Sequence, residues 1–106
     1  MTSIYSTRFI KATTPGTFSF TVPDNQIAVV RCITLINAGS SGAVQAEVYV
    51  GGANVWQALL PAQPQAPADP WTTLVQDLRA VAESGELIQA VVPSNAAVMV
   101  SGYLFV

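Results

Sequence analysis

The chain has no histidine and a single cysteine, and only 9% of its 106 residues are charged. Without histidine, Ser-His-Asp and Cys-His nucleophile systems and imidazole-metal sites are unavailable. One cysteine excludes an internal disulfide. Four scattered cations, Arg8, Lys11, Arg31 and Arg79, form no basic run. This argues against a partner read through its phosphate backbone, so no nucleic acid is expected. The longest apolar stretch, Ile27 to Ile36, is interrupted by Arg31, Cys32 and Thr34. It falls well short of the roughly 20 residues of a spanning helix, and no membrane partner is expected. The N-terminal "MTSIYSTRFIK" lacks the charged and then apolar regions of a secretion signal.

The charge deficit has a consequence of its own. Soluble domains carry roughly 25% charged residues, whereas 51% of this chain is apolar and its net charge is −2. A surface so poor in charge is expected to meet protein over part of its area.

What is present is a period of two. "TFSFTV" alternates Phe18, Phe20 and Val22 with Thr17, Ser19 and Thr21. "AVQAEVYV" places Val44, Ala46, Val48 and Val50 on one face and Gln45, Glu47 and Tyr49 on the other. Such alternation predicts half-buried strands. "IAVVRCITLIN" is apolar on both faces, as a central strand is, and places Cys32 with Val30 and Thr34 as a buried, inert thiol. The last segment sets Val98, Val100, Gly102, Leu104 and Val106 against Met99, Ser101, Tyr103 and Phe105. Turn signals at Pro15-Gly16, Pro23-Asp24-Asn25, Gly51-Gly52, Ser84-Gly85 and Pro93-Ser94-Asn95 separate the runs. The fold class expected is all-β: one domain over residues 1–106, an antiparallel sandwich of about eight strands, jelly-roll-like. The stretch from Asp69 to Glu86 is ambiguous, because Asp69-Pro70 also reads as a helix start. Thr72, Thr73 and Val75 favour a strand from Thr72 to Leu78, followed by a helical turn from Arg79 to Ser84.

Between the fifth and sixth runs lies "LLPAQPQAPADPW", with Pro61, Pro64, Pro67 and Pro70 at every third position. In a polyproline II helix this spacing aligns the rings along one edge, and ten residues span about 31 Å. The 36 residues that follow this segment make only half of a sandwich and no composition shift marks a second domain, which excludes an interdomain linker. No cation orients the segment as a ligand for a proline-reading domain. The expectation is a stiff arm over residues 61–70, anchored by Trp71 and docked on a neighbouring subunit. A loop packed on its own domain is the alternative.

No catalytic constellation emerges. Gly51-Gly52 lacks the Gly-Lys-Ser/Thr of a phosphate loop, and Glu83 and Glu86 flank a turn with no Asp-rich calcium loop beside them. No catalytic residue, cofactor or metal site is expected, and the chain is not expected to be an enzyme. Exposed aromatics among Tyr5, Tyr49, Trp56, Trp71 and Tyr103 leave sugar stacking open, with a subunit interface as the competing reading.

Two stretches resemble known proteins. "LVQDLRAVAESGELIQAVVPSNAAVMVSGYLFV" resembles small virion proteins of tailed bacteriophages, with a strand, a Gly-Glu turn, a strand, a small-residue turn and a last strand containing Ser-Gly-Tyr. "VPDNQIAVVRCITLIN" is similar to a strand of the same group. The resemblance covers about half the chain and does not include the proline segment. It implies a compact sandwich, often trimeric, located in the virion. The function expected is therefore that of a capsid decoration protein that self-associates, with a trimer favoured, and bridges the major capsid protein or another virion protein. Candidate arm and interface residues are Pro61, Pro64, Pro67, Pro70, Trp71, Trp56, Tyr103 and Phe105. The alternatives are a tail or baseplate component touching host sugars, and a stand-alone carbohydrate-binding sandwich.

Overall fold

The computed structural model describes residues 3–37, 44–60, 72–94 and 96–106. Eight strands account for most of them: β1 (Ile4–Ala12), β2 (Gly16–Thr21), β3 (Ile27–Asn37), β4 (Val44–Val50), β5 (Ala53–Leu60), β6 (Thr72–Ala82), β7 (Leu87–Val92) and β8 (Ala96–Phe105). They form two four-stranded sheets, the first ordered β1-β8-β3-β6 and the second β2-β7-β4-β5. Every ladder is antiparallel. The chain changes sheet at each connection except the β4–β5 hairpin. This is the jelly-roll arrangement expected from the sequence.

The inner faces follow the alternation. Ile33, Leu35, Val98 and Val100 of the first sheet and Val48, Ile88 and Ala90 of the second are fully buried. Each large aliphatic side chain so placed contributes about 1.5–3 kcal/mol relative to exposure. Phe9 and Phe20 close one edge, with ring centroids 5.1 Å apart and planes tilted by 51°. The β4–β5 turn uses Gly51 and Gly52 at φ 59° and 86°, where side chains with a Cβ are strained.

Three expectations are corrected. The helical turn from Arg79 to Ser84 does not form. β6 runs on to Ala82, because Ala80, Val81 and Ala82 continue the ladder with Val30, Val29 and Ala28. β6 is an edge strand, and its pairing with the internal strand β3 outweighs the weak helical signal there. Cys32 is not in the core: β3 bulges between Val30 and Cys32, so Arg31 and Cys32 both face outward and Ile33 returns to the core. The thiol is half-buried beside Ser101 and Asp77. Trp56 is 8% exposed, opposite Val48 on the inner face of the second sheet, so it packs in the core and not at a subunit interface.

The bulge has an identifiable cause one strand away. At Gly102, opposite Val30, a Cβ would overlap the Val29 carbonyl oxygen and lie 2.9 Å from its carbon and 3.0 Å from the Arg31 nitrogen. Only glycine lets β3 bend this close to β8, which is how a bulge re-aims a side chain.

Candidate functional site

Among the described residues there is no enclosed cavity, no group of three or more His, Cys, Asp or Glu placed to hold a metal, and no helix long and apolar enough to cross a membrane. The candidates are therefore the two outer sheet faces, and register makes them different.

On the second sheet, β4 is an internal strand whose outward residues Glu47 and Tyr49 are half-buried, Tyr49 between Gln89 and Asn54 and Glu47 between Val91 and Gln57. One cross-strand row reads Thr17, Val91, Glu47, Gln57, and the next reads Ser19, Gln89, Tyr49, Asn54. The Tyr49 hydroxyl donates a short hydrogen bond to Glu47 Oε2. The two residues lie two apart on β4 and share a face, which is why the pair can form locally. The carboxylate raises the Tyr49 pKa above its ordinary value, an Asn54 hydrogen bond opposing it. The phenol is thus held neutral and aimed. Two hydrogen-bonding amides, Asn54 and Gln57, stand exposed on β5, and Gln89 is half-buried on β7.

The outer face of the first sheet is built otherwise. Its rows read Ile4, Phe105, Ile27, then Ser6, Tyr103, Val29, Val81, then Arg8, Ser101, Cys32, Asp77, then Lys11, Met99, Thr34, Val75. Ile4 is 60% exposed, Val75 58%, Val81 50% and Tyr103 44%, so open apolar side chains stand on this face among the charged ones. Arg31, at the bulge, and Arg79 are both exposed and lie on neighbouring strands between the second and third rows. All four cations of the chain thus stand on this one face, which the sequence spacing conceals.

The expected interface residues separate accordingly. Tyr103 and Phe105 share the outer face of the first sheet, Trp56 lies in the core, and Pro61, Pro64, Pro67, Pro70 and Trp71 fall outside the described residues. Glu47 and Tyr49 were readable as outward neighbours from alternation alone. Asn54 joins them through the Gly51-Gly52 hairpin, whereas Gln57 depends on the register shift between β4 and β5, and Gln89 on the pairing with β7, for which the sequence carries no local signal.

No protein-family model matches the chain, and no curated protein matches it either. Among solved structures it is similar to part of the Podospora anserina GH26-CBM35 β-(1,4)-mannanase, at 10% identity and a TM-score of 0.50, over 97% of this chain and 27% of that one. It is also similar to the Agl-KA catalytic domain, at 14% identity and a TM-score of 0.43, over 99% and 25%. A third is the carbohydrate-binding module CBM36 in complex with calcium and xylotriose, at 12% identity and a TM-score of 0.42, over 100% and 99%. The chain spans about a quarter of the length of the first two. At such identity the mannanase match bears on the fold alone, and it agrees with the β-sandwich.

Proposed function

We propose that the chain is a non-catalytic carbohydrate-binding sandwich that takes saccharide on the outer face of its second sheet. The observation that supports this reading is the oriented Tyr49–Glu47 pair flanked by Asn54, Gln57 and Gln89. A pyranose presents an apolar C–H face and a rim of hydroxyls. Tyr49 offers a ring for the first, and the carboxylate and amides offer acceptors and donors for the second. Pockets that enclose small ligands are concave. An open strand face suits instead a polymer laid across several strands, with a few sugars touching protein. Neutral chains fit better than acidic ones, because Glu47 is the charge at the centre of this face.

Isothermal titration with soluble neutral β-1,4-linked oligosaccharides tests the reading. Saturable binding that Tyr49→Ala weakens and Tyr103→Ala leaves unchanged supports it. Equal behaviour of both variants, or no heat with any neutral glycan, contradicts it.

A second reading, a virion structural protein in the head or tail, draws support from the low charge of the chain and the open apolar face of the first sheet. Under that reading the function is mechanical: neighbouring subunits are held together by apolar area, about 25 cal/mol for each Å² buried. Its partners are virion proteins and further copies of this chain. Specific retention on assembled capsids, lost on substituting Tyr103 and Phe105, is the result that promotes this reading above the first.

A further inference from the structure

We infer that the outer face of the first sheet docks a second copy of this chain by that copy's acidic end, head to tail. The inference does not rest on carbohydrate binding, which uses the opposite face.

The first observation is charge segregation. The face carries Arg8, Lys11, Arg31 and Arg79, every cation in the chain, against the single carboxylate of Asp77. Arg31 and Arg79 lie on neighbouring strands where the β3–β6 register shifts. Like charges gathered on adjacent strands repel one another. An anionic partner removes that cost.

The second observation is where the anions went. Asp24 lies in the β2–β3 turn, and Glu83 and Glu86 lie in the β6–β7 turn. The two turns are tied at one end of the sandwich: the Gln26 amide donates to Ser84 Oγ at 3.2 Å, the Ser84 hydroxyl donates to the Gln26 carbonyl at 3.1 Å, and the Gly85 amide donates to the Val22 carbonyl at 2.9 Å. Glu86 spends Oε1 on the Glu83 amide at 2.7 Å, which leaves Asp24 and Glu83 as the exposed carboxylates of this end. Ile27, Leu87 and Val106, also at this end, are 46%, 36% and 46% exposed.

The two surfaces match in kind. One is cationic with open apolar side chains, Tyr103, Met99 and Val75 among them; the other is acidic with open apolar side chains. Arginine, tyrosine and methionine, residue types enriched at interfaces, stand on the cationic face. A symmetric face-to-face pair, turned about an axis along the strands, sets Arg8 over the partner's Asp77 but leaves Lys11, Arg31 and Arg79 with no carboxylate of the partner's face to meet. A head-to-tail contact offers Asp24 and Glu83 as well. Contacts of this type close into a ring or continue as a filament, and the trimer implied by the phage resemblance is one such ring.

Sedimentation velocity of the full chain over rising concentration, at low and high salt, tests this. The expected result is a mass above one chain at low salt that falls as salt screens the contact. The double variants Arg31→Glu with Arg79→Glu, and Asp24→Lys with Glu83→Lys, change exposed positions only, and circular dichroism checks that each is folded. Each alone is expected to associate at least tenfold more weakly, and an equimolar mixture of the two to regain a mass above one chain. A wild-type mass of one chain at every concentration overturns the proposal. So does association unmoved by either variant, or a mixture that stays as single chains.

Discussion

The two sheets bury equivalent inner faces and turn opposite outer faces to water. Val48, Ile88 and Ala90 of the second sheet are as completely enclosed as Ile33, Leu35 and Val100 of the first. Outside, the second sheet shows Thr17, Ser19, Gln57, Asn54 and the Tyr49–Glu47 pair, while the first shows isoleucine, valine, tyrosine and the four cations. Nothing in the packing of the core requires that contrast. Stability places the inward residues, and the outward ones are left for contacts with other molecules. A chain this poor in charge nevertheless concentrates its cations on one face, so the scarcity is a matter of distribution as well as number.

The two-sheet arrangement is most sensitive at Gly102. Alanine there overlaps the Val29 carbonyl and removes the bulge that turns Cys32 outward and returns Ile33 to the core. Thermal unfolding is expected to report a loss on the order of 5 kcal/mol, or no folded state at all. Next comes a test of inside against outside with two aromatics. Trp56→Ala is expected to cost about 3 kcal/mol by chemical denaturation, as for other buried aromatic truncations. Tyr103→Ala on the open face is expected to stay within about 0.5 kcal/mol.

A third prediction separates the outer faces by ligand. Tyr49→Ala is expected to weaken glycan affinity roughly tenfold, about 1.4 kcal/mol, with no change in melting temperature beyond that of a surface substitution. The smallest effect is the titration of Tyr49 itself. Its carboxylate neighbour favours the neutral phenol in the folded chain. The stabilising contribution is therefore complete below the ordinary tyrosine pKa of about 10 and is lost as pH rises through the higher folded value. Ultraviolet absorbance should show one tyrosine ionising above the ordinary value, and Glu47→Gln should bring it down. A titration unchanged by that substitution would remove the hydrogen bond from the account.

Much of the fold was legible because alternation and turn chemistry are local. Phe18 and Phe20 announce the inward face of β2, and Gly51-Gly52 announces the hairpin. The bulge at Arg31 was not legible: its cause, Gly102, lies on another strand, and nothing within "VVRCIT" marks a change of phase. That same slip reversed Cys32. Trp56 was misplaced because the β4–β5 ladder shifts register between Val48 and Tyr49, so the side of the sheet it takes depends on pairing. The candidate site was half legible. Glu47 and Tyr49 follow from alternation and Asn54 from the hairpin, while Gln57, Gln89 and the gathering of residues 8, 11, 31 and 79 are products of topology.

The proposed ligand face is the outer face of the second sheet. The most direct test is a titration of the isotope-labelled chain with a neutral β-1,4-linked oligosaccharide, followed by amide chemical shifts. The account predicts saturable shifts clustered at Glu47, Tyr49, Asn54, Gln57 and Gln89, with β8 and β3 outer residues unmoved. Shifts centred on Tyr103, Arg31 and Arg79, or none at saturating sugar, would contradict it.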